Sequence, residues 1–223
     1  MMLSRAETKA LYDKISKVYD LLSEHTEGPV REAGLRMLAP QPGETVLEIG
    51  FGTGHALVWL ARAVGPSGKV HGIDLSDGMR AVAGDLLRQE GVADRVEVRA
   101  GDATDLPYPA GGIDAVFMSF TLELFDTLEI PNVLAQCKRV LKTGGRIVVV
   151  GMSKEGEHGL VYEACEWTHQ HYPNFVDCRP ILVSQVVAAA GFRVTEKQNV
   201  QIWVPMEIVR AEKVIEPESH PPS

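Results

Sequence analysis

The sequence predicts an α/β fold: a seven-stranded, mostly parallel sheet with helices on both faces and a C-terminal antiparallel hairpin. Two observations carry that expectation. Short runs rich in Val and Ile alternate with longer amphipathic stretches, as strands and helices do in a parallel sheet covered on both sides. Successive runs start about 25 residues apart, the length of a right-handed strand–helix–strand crossover.

The strand runs are TVLEIG (45–50), KVHGIDL (69–75), RVEVRAG (95–101), IDAVFMSF (113–120) and RIVVVGM (146–152). Between them, helical periodicity marks HALVWLARAV (55–64), DGMRAVAGDLLRQEG (77–91) and IPNVLAQCKRVL (130–141), the last expected to close on a Gly144-Gly145 cap. Residues 153–180 break the rhythm with aromatic, His and polar residues, and are expected to be an insertion on the substrate side. A helix over ILVSQVVAAAG (181–191) follows, then FRVTEKQNVQIWV and PMEIVRAEK, which a short turn should join as a hairpin. Upstream, residues 4–38 suggest one or two helices forming a lid, with a break at Pro29. Residues 1–213 form one expected domain, and the Pro-rich tail 214–223 is expected to be disordered.

Composition narrows the function. Of 223 residues, 45% are hydrophobic and 23% charged, an ordinary balance for one large folded domain. The formal charge of −8, with no Lys/Arg cluster, argues against a nucleic-acid partner, whose phosphates call for a basic footprint. No apolar run approaches the roughly 20 residues of a membrane span. The start, MMLSRAETKALYDK, has no apolar core of a signal peptide, so the expected location is cytoplasmic. Cys137, Cys165 and Cys178 are widely spaced and lack a CxxC pair, as reduced structural cysteines would be.

The stretch VLEIGFGTGH (46–55) superficially resembles a phosphate-binding loop. A dinucleotide fingerprint needs a small residue in its third slot, which here is His55, and the extra glycine is Gly54. Glu48, two residues before the first glycine, would repel a pyrophosphate. Both features suit a ligand with no phosphate and a positive charge near the loop, such as S-adenosylmethionine. Asp74, ending the second strand, can accept both ribose hydroxyls, and Met79 can cover the adenine with a soft apolar surface. In GDATDLPY (101–108), Asp102 can accept from the adenine amino group while the Ala103 N–H donates to a ring nitrogen. The lesser alternative for Asp102 is a helix or turn cap, a role Asp after Gly often takes.

With VLEIGFGTGH, HGIDLS, AGDATDLPYP, GGIDAVFMSF and RVLKTGGRIVVV in place, the chain resembles a class I S-adenosylmethionine-dependent methyltransferase over about residues 10–152. It is most similar to the branch of ubiquinone/menaquinone C-methyltransferases and bacterial phospholipid N-methyltransferases. The resemblance implies a Rossmann-like fold and places YDKISKVYDLLS (12–23) over the cofactor, bringing Tyr12 and Tyr19 near the methionine moiety. The implied cofactor-binding set is Tyr12, Tyr19, Glu48, Gly50, Gly52, Gly54, Asp74, Leu75, Met79, Asp102, Ala103 and Ser119. The first motif has Glu48 and Phe51 where the quinone enzymes commonly have Asp and a glycine pair, so no substrate is carried over.

Methyl transfer from a sulfonium disperses positive charge, so orientation and exclusion of water should dominate, with a general base needed only for a protonated nucleophile. Candidates to meet the acceptor are Phe120, Thr121 and Glu123 after the fourth strand, and His158, Tyr162, His169, His171 and Tyr172 in the insertion. Among them His169 and Glu123, together with Tyr19, are the catalytic candidates; no metal is expected. The expected function is methyl transfer to a small-molecule or lipid-like acceptor, with a homodimer left open. The alternatives are a non-catalytic S-adenosylmethionine-binding module, an arsenite methyltransferase using Cys165 and Cys178 and, more remotely, a dinucleotide oxidoreductase.

Overall fold

The computed structural model describes residues 27–155, 180–202 and 204–214. Residues 27–38 form helix α1. There follow β1 (Thr45–Ile49), α2 (His55–Val64), β2 (Lys69–Asp74), α3 (Asp77–Gln89), β3 (Val96–Ala100), β4 (Ile113–Ser119), a 3₁₀ turn (Leu122–Leu124) and α4 (Ile130–Val140). The chain continues through β5 (Leu141–Met152), α5 (Val183–Ala189), β6 (Phe192–Gln201) and β7 (Pro205–Lys213).

The strands make one sheet of order β3-β2-β1-β4-β5-β7-β6. The first five are parallel, and β7 is antiparallel to both β5 and β6. The predicted mostly parallel sheet and its C-terminal hairpin are both present. Chain order reverses direction across the sheet between β1 and β4, the place where a crevice opens beyond the carboxyl ends of the strands.

Alternation along the strands divides the core into two layers. Val46, Val70, Phe117, Val148 and Val150 face one side with α1, α2 and α3; Leu47, Ile49, Val116, Ile147 and Val149 face the other with α4 and α5. Helix α1 lies close to the sheet because residue 34 is glycine: a Cβ there would fall 2.4 Å from Val150 Cγ2. Its far end is fastened by Arg146, whose guanidinium donates to the Leu38 carbonyl (2.6 Å), the Ala39 carbonyl (3.0 Å) and both oxygens of Glu44 (2.8 and 2.7 Å).

Pro29 falls in the first described turn of α1, next to residues outside those described. Two local expectations change. Helix α4 stops at Val140, because Leu141 is already extended and pairs with Ile113; Gly144-Gly145 turn the chain within the early part of β5 instead of capping the helix. The hairpin helix is shorter than its apolar pattern, Val183–Ala189, since its first turn is fixed by a buried carboxylate described below. Of the expected lid (4–38), insertion (153–180) and tail (214–223), only residues 27–38, 153–155, 180 and 214 fall within the described residues.

Candidate active site

Three glycines with left-handed φ, Gly50 (+71°), Gly52 (+52°) and Gly54 (+94°), reverse the chain between β1 and α2. Gly50 admits no side chain: besides its φ, a Cβ would fall 2.2 Å from Thr121 Oγ1. The turn is stitched to β2, the Gly50 N–H donating to the Ile73 carbonyl (2.8 Å) and the Gly52 N–H to Asp74 Oδ2 (2.9 Å). Asp74 Oδ1 accepts the Ser76 N–H at 2.9 Å, so both carboxylate oxygens are oriented by backbone. Ser76 then caps α3 by accepting the Met79 N–H at 3.0 Å. Helix α2, by contrast, begins at Gly54 without a side-chain cap.

Glu48 is buried beside this turn at 2% exposure, level with Gly72 and Phe117 in the sheet. Its Oε2 has no hydrogen-bond partner among the described residues. Burial raises its pKa well above the usual carboxylate range; Arg31 on α1 pulls it down and Asp74 pushes it further up. A carboxyl so placed is stabilised by an arriving cation.

Across the crevice, β4 ends in a constrained segment. Phe120 has φ +52°, an uncommon conformation for a bulky residue, and its N–H donates to the Val150 carbonyl at 2.8 Å. The Thr121 hydroxyl donates to the Ser119 carbonyl at 2.9 Å, next to Gly50. Ser119 Oγ is buried without a partner among the described residues. Glu123, fully buried, accepts the Met152 N–H at 3.1 Å through Oε1, while Oε2 has no partner among the described residues. Burial pushes the Glu123 carboxyl up to about 7.

The structure therefore brings Glu48, Gly50, Gly52, Gly54, Asp74, Leu75, Ser119, Phe120, Thr121 and Glu123 to the carboxyl ends of neighbouring strands or the turns that follow them. Asp102 and Ala103 follow β3; Asp102 Oδ1 accepts the Thr104 amide (2.9 Å) and hydroxyl (2.8 Å), the turn-capping role. Met79 is 1% exposed and packs within the core layer of α2 and α3. Tyr12, Tyr19, His158, Tyr162, Cys165, His169, His171, Tyr172 and Cys178 lie outside the described residues. No metal-binding cluster occurs among the described residues. Sequence reasoning passed over Arg31, whose helical position over Glu48 has no motif, and Glu207, a fully buried carboxylate inside an apolar strand run.

Residues 46–145 match a family model described as a methyltransferase domain. A 2-phytyl-1,4-naphthoquinone methyltransferase of Synechococcus elongatus is 34% identical over 157 residues, covering 69% of this chain and 66% of the relative. A nocamycin O-methyltransferase of Saccharothrix syringae is 36% identical over 142 residues, covering 63% and 49%. The chain thus spans about half to two thirds of the length of these relatives. Among solved structures, a SAM-dependent methyltransferase from Aquifex aeolicus superposes with a TM-score of 0.68 at 27% identity, over 91% of this chain and 98% of that one.

Proposed function

The chain belongs to the class I S-adenosylmethionine-dependent methyltransferases, and on that premise we propose that it methylates a small-molecule or lipid-like acceptor. The observation that carries the proposal is the pairing of a buried Glu48, whose Oε2 has no hydrogen-bond partner among the described residues, with the glycine turn and the backbone-oriented Asp74. These residues fit the cofactor: Asp74 would hold the ribose hydroxyls, Glu48 would face the ammonium, and the Ala103 N–H with Asp102 would meet the adenine edge. The turn Gly50–Gly54 lets backbone approach closely, and Leu75, Met79 and Ser119 complete the surrounding wall. When bound, S-adenosylmethionine supplies an electrophilic methyl group.

The chain's own contribution is orientation. The Gly52 and Ser76 amides fix the Asp74 carboxylate, and the Thr121 side chain lies against the Gly50 turn. Helix α1 covers this face of the sheet and helps exclude water. Tyr12 and Tyr19 over the methionine moiety, with Tyr19, His169 and Glu123 handling protons or the acceptor, complete the proposed site. The Synechococcus relative methylates a naphthoquinone, which makes a prenyl-bearing ring the first acceptor class to examine. No helix among the described residues is long and apolar enough to cross a membrane. The proposal includes a cytoplasmic location, no nucleic-acid partner and room for a homodimer.

The test is transfer of a tritiated methyl group from S-adenosylmethionine to 1,4-naphthohydroquinone, simple phenols and amines. Organic-extractable label with one class is the expected result. Tight cofactor binding with no label from any acceptor would favour a non-catalytic binding module instead.

A further inference from the structure

We infer that Arg139, acting with Gln136, is the positioning residue that fixes how the loop after β3 meets the cofactor's adenine. The inference rests on the reading that Asp102 and the Ala103 N–H face the adenine edge, and it deepens that reading by naming what holds them in register.

Residues 101–112 join β3 to β4 with no helix or strand of their own, so their backbone groups need partners outside any ladder. Ala103, Leu106 and Tyr108 are buried in the layer that α4 covers, with the Tyr108 and His71 ring centroids 5.0 Å apart. Apolar burial sets the depth of the loop, but it is not directional and cannot aim a single N–H. Hydrogen bonds supply the direction. Before Asp102, the Gly101 N–H donates to the Asp74 carbonyl at 2.8 Å, tying the loop to the residue that faces the ribose.

Beyond Ala103 the loop is held from one face of α4, where Asn132, Gln136 and Arg139 follow at helical spacing. Asn132 Nδ2 donates to the Thr104 carbonyl at 3.1 Å. Gln136 Oε1 accepts the Leu106 N–H at 3.4 Å. The Arg139 guanidinium donates to the Leu106 and Tyr108 carbonyls, each at 2.7 Å. It also donates to Gln136 Oε1, at 3.0 Å from Nε and 2.8 Å from Nη2. The Gly111 N–H returns to the Arg139 carbonyl at 3.0 Å. A planar guanidinium bonds two loop carbonyls and orients Gln136 at once, which the compact charge of a lysine does not. Its influence on the adenine passes through the loop backbone, so Arg139 positions rather than binds.

Adenine presents an amino donor beside a ring acceptor, and hypoxanthine reverses both. A loop that accepts through Asp102 and donates through Ala103 separates the two bases only while both groups are held in place. The experiment therefore titrates S-adenosylhomocysteine and S-inosylhomocysteine, its hypoxanthine counterpart, into the wild type and Arg139→Met. Hydrogen exchange of the ligand-free proteins is followed over residues 101–112 and over the Gly50–Gly54 turn. The wild type is expected to prefer the adenine ligand. Arg139→Met removes the donors and should weaken S-adenosylhomocysteine roughly tenfold while leaving S-inosylhomocysteine almost unchanged, so the preference collapses. Exchange should quicken in the loop and not in the glycine turn. If Arg139→Met does not melt cooperatively, Gln136→Leu, which removes the acceptor shared by Leu106 and Arg139, must show the same loss of preference. A preference retained in the folded variant, or equal weakening of both ligands, gives these side chains a purely structural role and overturns the inference. A wild type that binds both ligands equally removes the adenine reading beneath it, and one that binds neither removes the methyltransferase reading itself.

Discussion

Glu123→Gln should make the folded chain more resistant to urea at alkaline pH than the wild type. In the unfolded chain this carboxyl titrates at its ordinary value of 4.5; in the folded chain burial holds it at about 7. The folded state therefore retains the proton longer. Its stability contribution is complete below about pH 4.5 and is lost as pH rises through about 7. A rise of that size corresponds to about 3 kcal/mol once the group is ionised. Glutamine keeps an oxygen for the Met152 N–H and never ionises. The quantity to measure is the difference in unfolding free energy between variant and wild type, by urea titration at pH 5 and again at pH 8.5. Constant effects of the substitution, and the other raised carboxyl, Glu48, cancel between the two conditions. The difference should move in the variant's favour by about 2.5 kcal/mol from pH 5 to pH 8.5, because the unfolded chain is already partly ionised at pH 5. An equal difference at both pH values would refute the burial-driven shift.

Two other substitutions test the scaffold around the site. Glu207 is fully buried and accepts the Val183 N–H at 2.8 Å, the Ser184 hydroxyl at 2.9 Å and Lys197 Nζ at 2.8 Å. Glu207→Ala strips the first turn of α5 of these contacts and should cost about 3 kcal/mol by urea denaturation, against little change for Glu196→Ala on the exposed strand surface. Gly50→Ala forces a Cβ into Thr121 at a left-handed φ; a loss of about 3 kcal/mol in stability, with cofactor affinity lost as well, is expected by thermal melting and binding.

Much of the sheet was legible because its signals are local. Val/Ile runs placed β1 to β4 to within a residue or two, and the α2 boundaries coincide with HALVWLARAV. The same locality made Glu48, Gly50 and Asp74 readable, since a carboxylate before a glycine turn and another ending the next strand are properties of adjacent residues. What escaped depends on residues far apart. Arg146 reaches back more than a hundred positions to Glu44, and Glu207 caps a helix twenty-four positions upstream. Met79, expected over the adenine, also belongs with Ala83 and Leu87 to the apolar layer on that side of the sheet, which a single helical turn of sequence does not reveal. The Gly144-Gly145 pair misled for a related reason: the helix ends wherever Leu141 finds a strand partner, and Ile113 lies distant in the chain.

The glycine turn and Asp74 are expected to hold S-adenosylmethionine, and calorimetric titration of S-adenosylhomocysteine into the protein checks this. Saturable one-site binding is expected, weakened in Asp74→Ala by about 1.5–3 kcal/mol as charge-assisted hydrogen bonds to the ribose are lost. Asp74 also orders the Gly52 turn, so a melting curve of the variant accompanies the titration. No binding heat, and no competition by S-adenosylmethionine, from a protein that melts cooperatively would contradict the account.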